Sequence, residues 1–255
     1  MTAAELARKI RNREQAVGYW VVLDAPVATE RLARLGYDYI AVDGQHGLIG
    51  HAGLLANLMA VDAGGRSVGL VRVESGDPAV IGRALDYGAG GVIVPLVDTA
   101  EDAARAVSAA RYPGTGRRSY GPMRSMLRIG PTPAEADESV LVLAMIETSE
   151  GLANLEAICA TPGLDGVYVG PSDLCLAVGG RFPNDPQVAD VFEKALERIR
   201  TTAERAGIAA GIHNPTGEQA ARRLAEGFTF ATVASDLVHL EQAAAAHLKA
   251  VRGGA

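Results

Sequence analysis

Tyr39-Ile40-Ala41-Val42-Asp43-Gly44-Gln45-His46-Gly47 decides how the chain folds. Its first four residues form an apolar run that can be buried on both faces, and the Gly-flanked polar turn ends that run with a carboxylate and an imidazole. The same form recurs at Val142-Leu143-Ala144-Met145-Ile146-Glu147 and at Val167-Tyr168-Val169-Gly170-Pro171-Ser172-Asp173. Apolar strands without polar alternation belong to a parallel sheet covered by helices, and in a barrel of such strands every carboxyl end faces one mouth.

Working outward, strand-like runs occur at Val17–Leu23, Tyr39–Val42, Val68–Val73, Gly91–Val94, Val140–Ile146, Gly166–Val169, Ile208–Ile212 and Phe228–Val233. Helical spacing separates them, at Thr29–Leu35, Ala52–Val61, Pro78–Tyr87, Ala100–Arg111, Ser149–Ala160, Pro186–Ala206, Thr216–Glu226 and Asp236–Val251. Eight alternations in 255 residues predict one (β/α)8 TIM barrel over 1–255, a fold that takes ~250 residues, with Ala3–Arg11 as a short extra amino-terminal helix. A doubly wound open sheet ranks second, because Leu23-Asp24-Ala25-Pro26 stands where a Gly-rich dinucleotide turn would follow the first strand. The stretch Tyr112–Asp137, with its Pro, Gly and four arginines, reads as a functional loop over the mouth.

A net charge of −6 argues against a nucleic-acid partner. No apolar run approaches the ~20 residues of a membrane span and no leader pattern opens the chain, so a cytoplasmic location is expected. Cys159 and Cys175 are too few for a disulfide framework and are expected as reduced thiols.

The predicted carboxyl strand ends carry Trp20 and Asp24, Asp43 and His46, Arg72 and Glu74, Pro95, Glu147, Asp173, His213 and Asn214, then Ser235 and Asp236. Glu147 and Asp173 close adjacent strands, a hard-oxygen pair that suits Mg2+ or Mn2+. Taken singly, either could be only a helix cap or a turn residue. Asp43 lies three residues before His46, a spacing that lets its carboxylate orient the imidazole for general acid/base work. His51 and His239 lack such company and read as structural. Arg72 is either an ion-pair partner or a fork for a substrate carboxylate or enolate oxygen, and the second reading is preferred. In the long loop, Arg118 and Arg124 flank a Gly-Pro turn that could aim Arg124 at an aldehyde substrate. The three lysines, Lys9, Lys194 and Lys249, all fall on predicted outer helices, which disfavours a Schiff-base mechanism.

At Val42–His46, Val71-Arg72-Val73, Pro95–Ala100, Ala110-Arg111-Tyr112-Pro113, Ile146-Glu147 and Asp165–Leu174 the chain resembles the HpcH/HpaI aldolase/citrate lyase family. The likeness is to its metal-dependent 2-oxo acid aldolases, typified by 4-hydroxy-2-oxoheptanedioate aldolase, and runs from about Val17 to Asp236. The resemblance implies that Glu147 and Asp173 are metal ligands, His46 the acid/base and Arg72 the group binding the 2-oxo acid. It further implies that Trp20, Gly170, Pro171 and Ser172 line the pyruvate pocket, and that the chain forms a homo-oligomer, a hexamer built as a trimer of dimers. Gln45, Gly47 and Met145 depart from the heptanedioate-cleaving members, where a Glu, a small apolar residue and a Gln stand. The expected reaction is cleavage of a 4-hydroxy-2-oxo acid to pyruvate or hydroxypyruvate plus an aldehyde. An acyl-CoA thioester lyase is the alternative, followed by a non-catalytic metal-binding scaffold.

Overall fold

A computed structural model describes residues 1–253; residues 254 and 255, the end of the predicted 1–255 unit, lie outside the described residues. Eight parallel strands close into a barrel: β1 (Ala16–Val21), β2 (Tyr39–Asp43), β3 (Val68–Arg72), β4 (Gly91–Val94), β5 (Leu141–Ile146), β6 (Gly166–Val169), β7 (Ala209–Asn214) and β8 (Phe230–Ser235). Each strand pairs with the next and β8 pairs with β1, so no sheet edge is left open. The helices are α1 (Ala3–Arg11), α2 (Pro26–Ala33), α3 (His51–Gly64), α4 (Pro78–Asp86), α5 (Ala100–Ala110), α6 (Pro133–Ser139), α7 (Ser149–Ala153), α8 (Leu155–Cys159), α9 (Pro171–Ala177), α10 (Ala189–Ala206), α11 (Gly217–Ala225) and α12 (Asp236–Val251).

Large rings fill the barrel and set the floor of its mouth. Tyr39, Tyr168 and Phe230 are fully buried, and both tyrosine hydroxyls meet Thr232 Oγ1 at 2.7 Å. Room for them comes from glycine: a Cβ on Gly18 would fall 2.1 Å from the Tyr39 ring, and one on Gly211 2.1 Å from Phe230. Trp20 then stacks on Tyr168 with ring centroids 5.9 Å apart, carrying the aromatic column up to the mouth.

At the opposite end, α1 begins with a Thr2/Glu5 capping box and buries Ala3, Leu6, Ala7 and Ile10. Arg11 and Arg111 both reach Asp165 and the Val140 carbonyl there, pinning this end of the barrel.

Three expectations need correction. Ser149–Ala160 is two short helices broken at Asn154, whose side-chain amide donates to the Asp98 carbonyl at 2.8 Å. The helix expected from Pro186 starts at Ala189, after a 3-10 turn over Pro186–Val188. The Tyr112–Asp137 stretch does not cover the mouth: it follows a helix and precedes a strand, so it lies at the amino-terminal end and contains a 3-10 turn and the start of α6. Arg124 is bound there by Asp62 and by the Tyr87 carbonyl, at the ends of α3 and α4. Arg124 therefore does not face the strand-end site of its own chain, contrary to the expected contact with an aldehyde there.

Candidate active site at the carboxyl strand ends

The register of β2 and β3 sets Asp43 beside Arg72. Both are buried, and Asp43 takes two hydrogen bonds from the guanidinium, one from Nε at 2.9 Å and one from Nη2. This fork engages Nε and Nη2 and leaves Nη1 of Arg72 without a hydrogen-bond partner among the described residues. Burial by itself raises the Asp43 carboxyl, but the Arg72 charge and hydrogen bonds, with those of the His46 amide and Trp20, outweigh it and hold the group below the usual carboxylate range. Trp20 Nε1 donates to Asp43 Oδ2 at 3.2 Å, and the Arg72 guanidinium carbon lies 5.0 Å from the Trp20 ring centroid.

Asp43 does not hold the His46 ring, contrary to the sequence expectation. Its Oδ1 instead accepts from the backbone N–H groups of Gln45 and His46, each at 3.1 Å. The carboxylate shapes the turn, and the imidazole of His46 is left exposed at the rim. An Asx-type turn competes for the same oxygen that the spacing assigned to the ring.

Glu147 follows β5 and is buried. Its Oε1 accepts from the Leu96 N–H at 2.9 Å, an amide aimed by the left-handed backbone of Leu96, φ 53°. A Cβ on Gly170 would stand 2.4 Å from Glu147 Oε2 and 2.8 Å from Met145 Cε, so a larger residue there would displace this carboxylate. Burial raises the Glu147 carboxyl; the Leu96 amide opposes this, while the Asp173 charge adds to it. Asp173 sits in the first turn of α9, a helix that the sequence reading left as a turn. Among the described residues no three or more His, Cys, Asp or Glu side chains form a ready cage. Two hard carboxylates whose charges oppose one another still suit a divalent ion that keeps waters or takes substrate oxygens for its other positions.

A recess of about 190 Å³ lies among these groups, lined by Trp20, His46, Arg72, Met145, His213 and the Gly170–Asp173 turn. A larger groove of about 720 Å³ lies outside the barrel between α4 and α5 and shares none of these residues. Volume alone would choose the wrong place; the converging polar groups choose the mouth.

His213, at the carboxyl end of β7, also enters the recess. Its ring lies edge-on to Trp20 with centroids 5.3 Å apart, and Nδ1 is buried without a partner among the described residues. Burial first, and the Arg72 charge second, lower its pKa to about 4 against the pull of Asp43. An unfolded histidine titrates near ~6.5, so the unfolded chain takes up the proton first as pH falls. Stability from neutral His213 is thus complete above ~6.5 and is lost as pH falls toward its folded value. Wild type should lose ~2–3 kcal/mol more than His213→Gln between pH 7 and pH 4.5, from ~1.4 kcal/mol per pKa unit. Urea unfolding at the two pH values measures this, and equal losses in both proteins would refute it.

Other strand-end polar residues are structural. Asp24 accepts from Asn57, Asp236 accepts from the amides of Val22 and Leu23, and Asn214 donates to the Ile212 and Thr232 carbonyls. His239, as expected, is structural too, with Nδ1 2.8 Å from the Tyr19 hydroxyl.

Residues 16–243 match the family model described as HpcH/HpaI aldolase/citrate lyase. The chain belongs to this family. It is 41% identical over 230 residues to the hydroxypyruvate/pyruvate aldolase of Rhizorhabdus wittichii, covering 90% of this chain and 91% of that one. It is 39% identical to the 4-hydroxy-2-oxovalerate aldolase of Rhodococcus jostii, covering 86% and 85%. Among solved structures, an HpcH/HpaI aldolase/citrate lyase family protein from Burkholderia cenocepacia superposes with a TM-score of 0.88 at 31% identity, over 98% of this chain and all of the other. As a member of the HpcH/HpaI family with aldolase relatives over most of its length, the chain is a carbon–carbon lyase.

Proposed function

We propose that the chain is a divalent metal-dependent aldolase that reversibly cleaves a 4-hydroxy-2-oxo acid to pyruvate or hydroxypyruvate plus an aldehyde. One observation carries the reading: a small recess at the strand ends joins an Asp43-anchored guanidinium, an exposed imidazole and Asp173, with the buried Glu147 carboxylate against Gly170 of its wall. Relatives named for pyruvate, hydroxypyruvate and 4-hydroxy-2-oxovalerate point to the same substrate class.

Glu147 and Asp173 would hold Mg2+ or Mn2+, which supplies Lewis-acid polarisation of the 2-oxo group when bound. Arg72, fixed through Nε and Nη2, offers Nη1 to an oxygen of the oxo acid and offsets charge that develops there. His46 takes the C4 hydroxyl proton, directly or through water, as the C3–C4 bond breaks, the aldehyde carbonyl forms and the electron pair enters the C2–C3 enolate; a proton delivered to C3 then gives the free 2-oxo acid, and in synthesis both transfers reverse. Trp20 and the Gly170-Pro171-Ser172 turn confine the three-carbon fragment. No lysine is placed to form an imine: Lys9 pairs with Asp38 on α1, and Lys194 and Lys249 lie on α10 and α12.

An acyl-CoA lyase needs basic groups for its nucleotide, and Arg72 is the one arginine lining the recess, which favours free oxo acids. Helix α12 buries none of its residues and exposes Val238, Leu240, Leu248 and Val251, which supports a homo-oligomer, with the family's hexamer as the proposed form. Two free, buried cysteines accord with a cytoplasmic protein, and no helix of the described residues is long and apolar enough to cross a membrane. We take 1–255 as one aldolase domain.

The decisive experiment offers pyruvate and hydroxypyruvate with a panel of aldehydes, and acyl-CoA thioesters separately, with and without Mn2+. Aldol products formed only from the free oxo acids support the proposal; thioester cleavage alone would replace it. His46→Ala should lower turnover ~10²–10⁴-fold while Mn2+ affinity stays close to wild type, as loss of a general base does. Parallel losses of affinity and rate would make His46 a ligand instead.

A further inference from the structure

The groove between α4 and α5 is built for an anion. Its floor is small, with Ala79, Gly82 and Ala109, and its walls carry Arg83, Arg105, Arg117 and Arg118 against a single carboxylate, Asp86. Arg105 is already paired with Asp102, whereas Arg83 and Arg117 are exposed and enter no ion pair among the described residues. Ser108 and Ser119 add hydroxyl donors.

Arg118 is the second, independent observation. Its side chain is 1% exposed, yet only Nη2 has a partner, Asp86 Oδ1 at 2.8 Å. Its Nε and Nη1 are buried with no hydrogen-bond acceptor among the described residues. The Tyr112 ring, 4.7 Å from the guanidinium carbon, attracts the charge but takes no ordinary N–H···O bond. A guanidinium has five donors in a fork, and leaving them unmet in a buried place is costly unless something accepts them. An anion in the groove offsets the buried charge without touching those atoms.

We propose that this groove binds a small dianion, a phosphate monoester or a dicarboxylate, held by the exposed Arg83 and Arg117 above the buried charge of Arg118. At about 720 Å³ it has the size of a metabolite site. The site is separate from the mouth and does not depend on the reaction proposed there.

Glycerol 2-phosphate and succinate, each titrated calorimetrically into the metal-loaded protein, distinguish the two sources of the anion. One or both should bind at one per chain. The double variant Arg83→Ala/Arg117→Ala should weaken binding at least tenfold, and Arg72→Lys should leave it within twofold. The double variant changes only exposed side chains. The proposal is overturned if neither probe binds, as would follow from a second copy covering the groove. It is equally overturned if Arg72→Lys abolishes binding while the double variant does not.

Discussion

Asp43→Ala is expected to cost about 3–5 kcal/mol of stability and to eliminate measurable turnover, because it leaves the Arg72 guanidinium buried without its counter-charge. Asp43 bridges Arg72, Trp20 and the two turn amides, so its removal loosens the oxo-acid fork and the turn that carries His46 together. Asp43→Asn preserves shape but not charge, and should recover part of the stability and little of the rate. The double variant Asp43→Leu/Arg72→Met, which removes both charges, should regain most of the stability while remaining inactive. Urea unfolding beside steady-state rates separates these effects. Turnover lost from Asp43→Ala at unchanged stability would contradict the Arg72 anchor and return Asp43 to the role of orienting the His46 ring.

Exhaustive chelation should remove turnover by roughly 10³-fold or more, the equivalent of the several kcal/mol that a Lewis acid contributes. Mn2+ or Mg2+ should restore it. Burial and the Asp173 charge both push the Glu147 carboxyl upward, so protons compete with the cation at this site. Metal affinity should therefore rise with pH until Glu147 is fully ionised, since a ligand must be deprotonated to bind. Glu147→Gln should abolish both the reconstitution and the pH dependence contributed by this group. Full activity in a metal-stripped sample, verified by elemental analysis, would end the metal assignment.

The barrel was legible in the chain itself. Uninterrupted apolar runs such as Tyr39–Val42 and Gly166–Val169, alternating eight times with helical segments, read as strands covered on both sides, and that is a local property of the residues. The strand-end rule likewise picked out Trp20, His46, Arg72, Glu147 and Asp173 without any structure, because parallel strands must end at one face. It could also have placed Arg124 correctly, since a loop that leaves a helix for a strand lies at the other end. Partnership was a different matter. Spacing along the chain offered the Asp43 carboxylate to His46, but the inter-strand register delivers Arg72 beside it, and a buried guanidinium outcompetes a solvated imidazole for that charge. His213 had the right position and no visible role until Trp20 and Arg72 closed around it and burial made it a neutral ring. Local pattern determines which elements form and which way they point; register, closure and desolvation, which join residues far apart in the chain, decide which side chains share a charge or a proton.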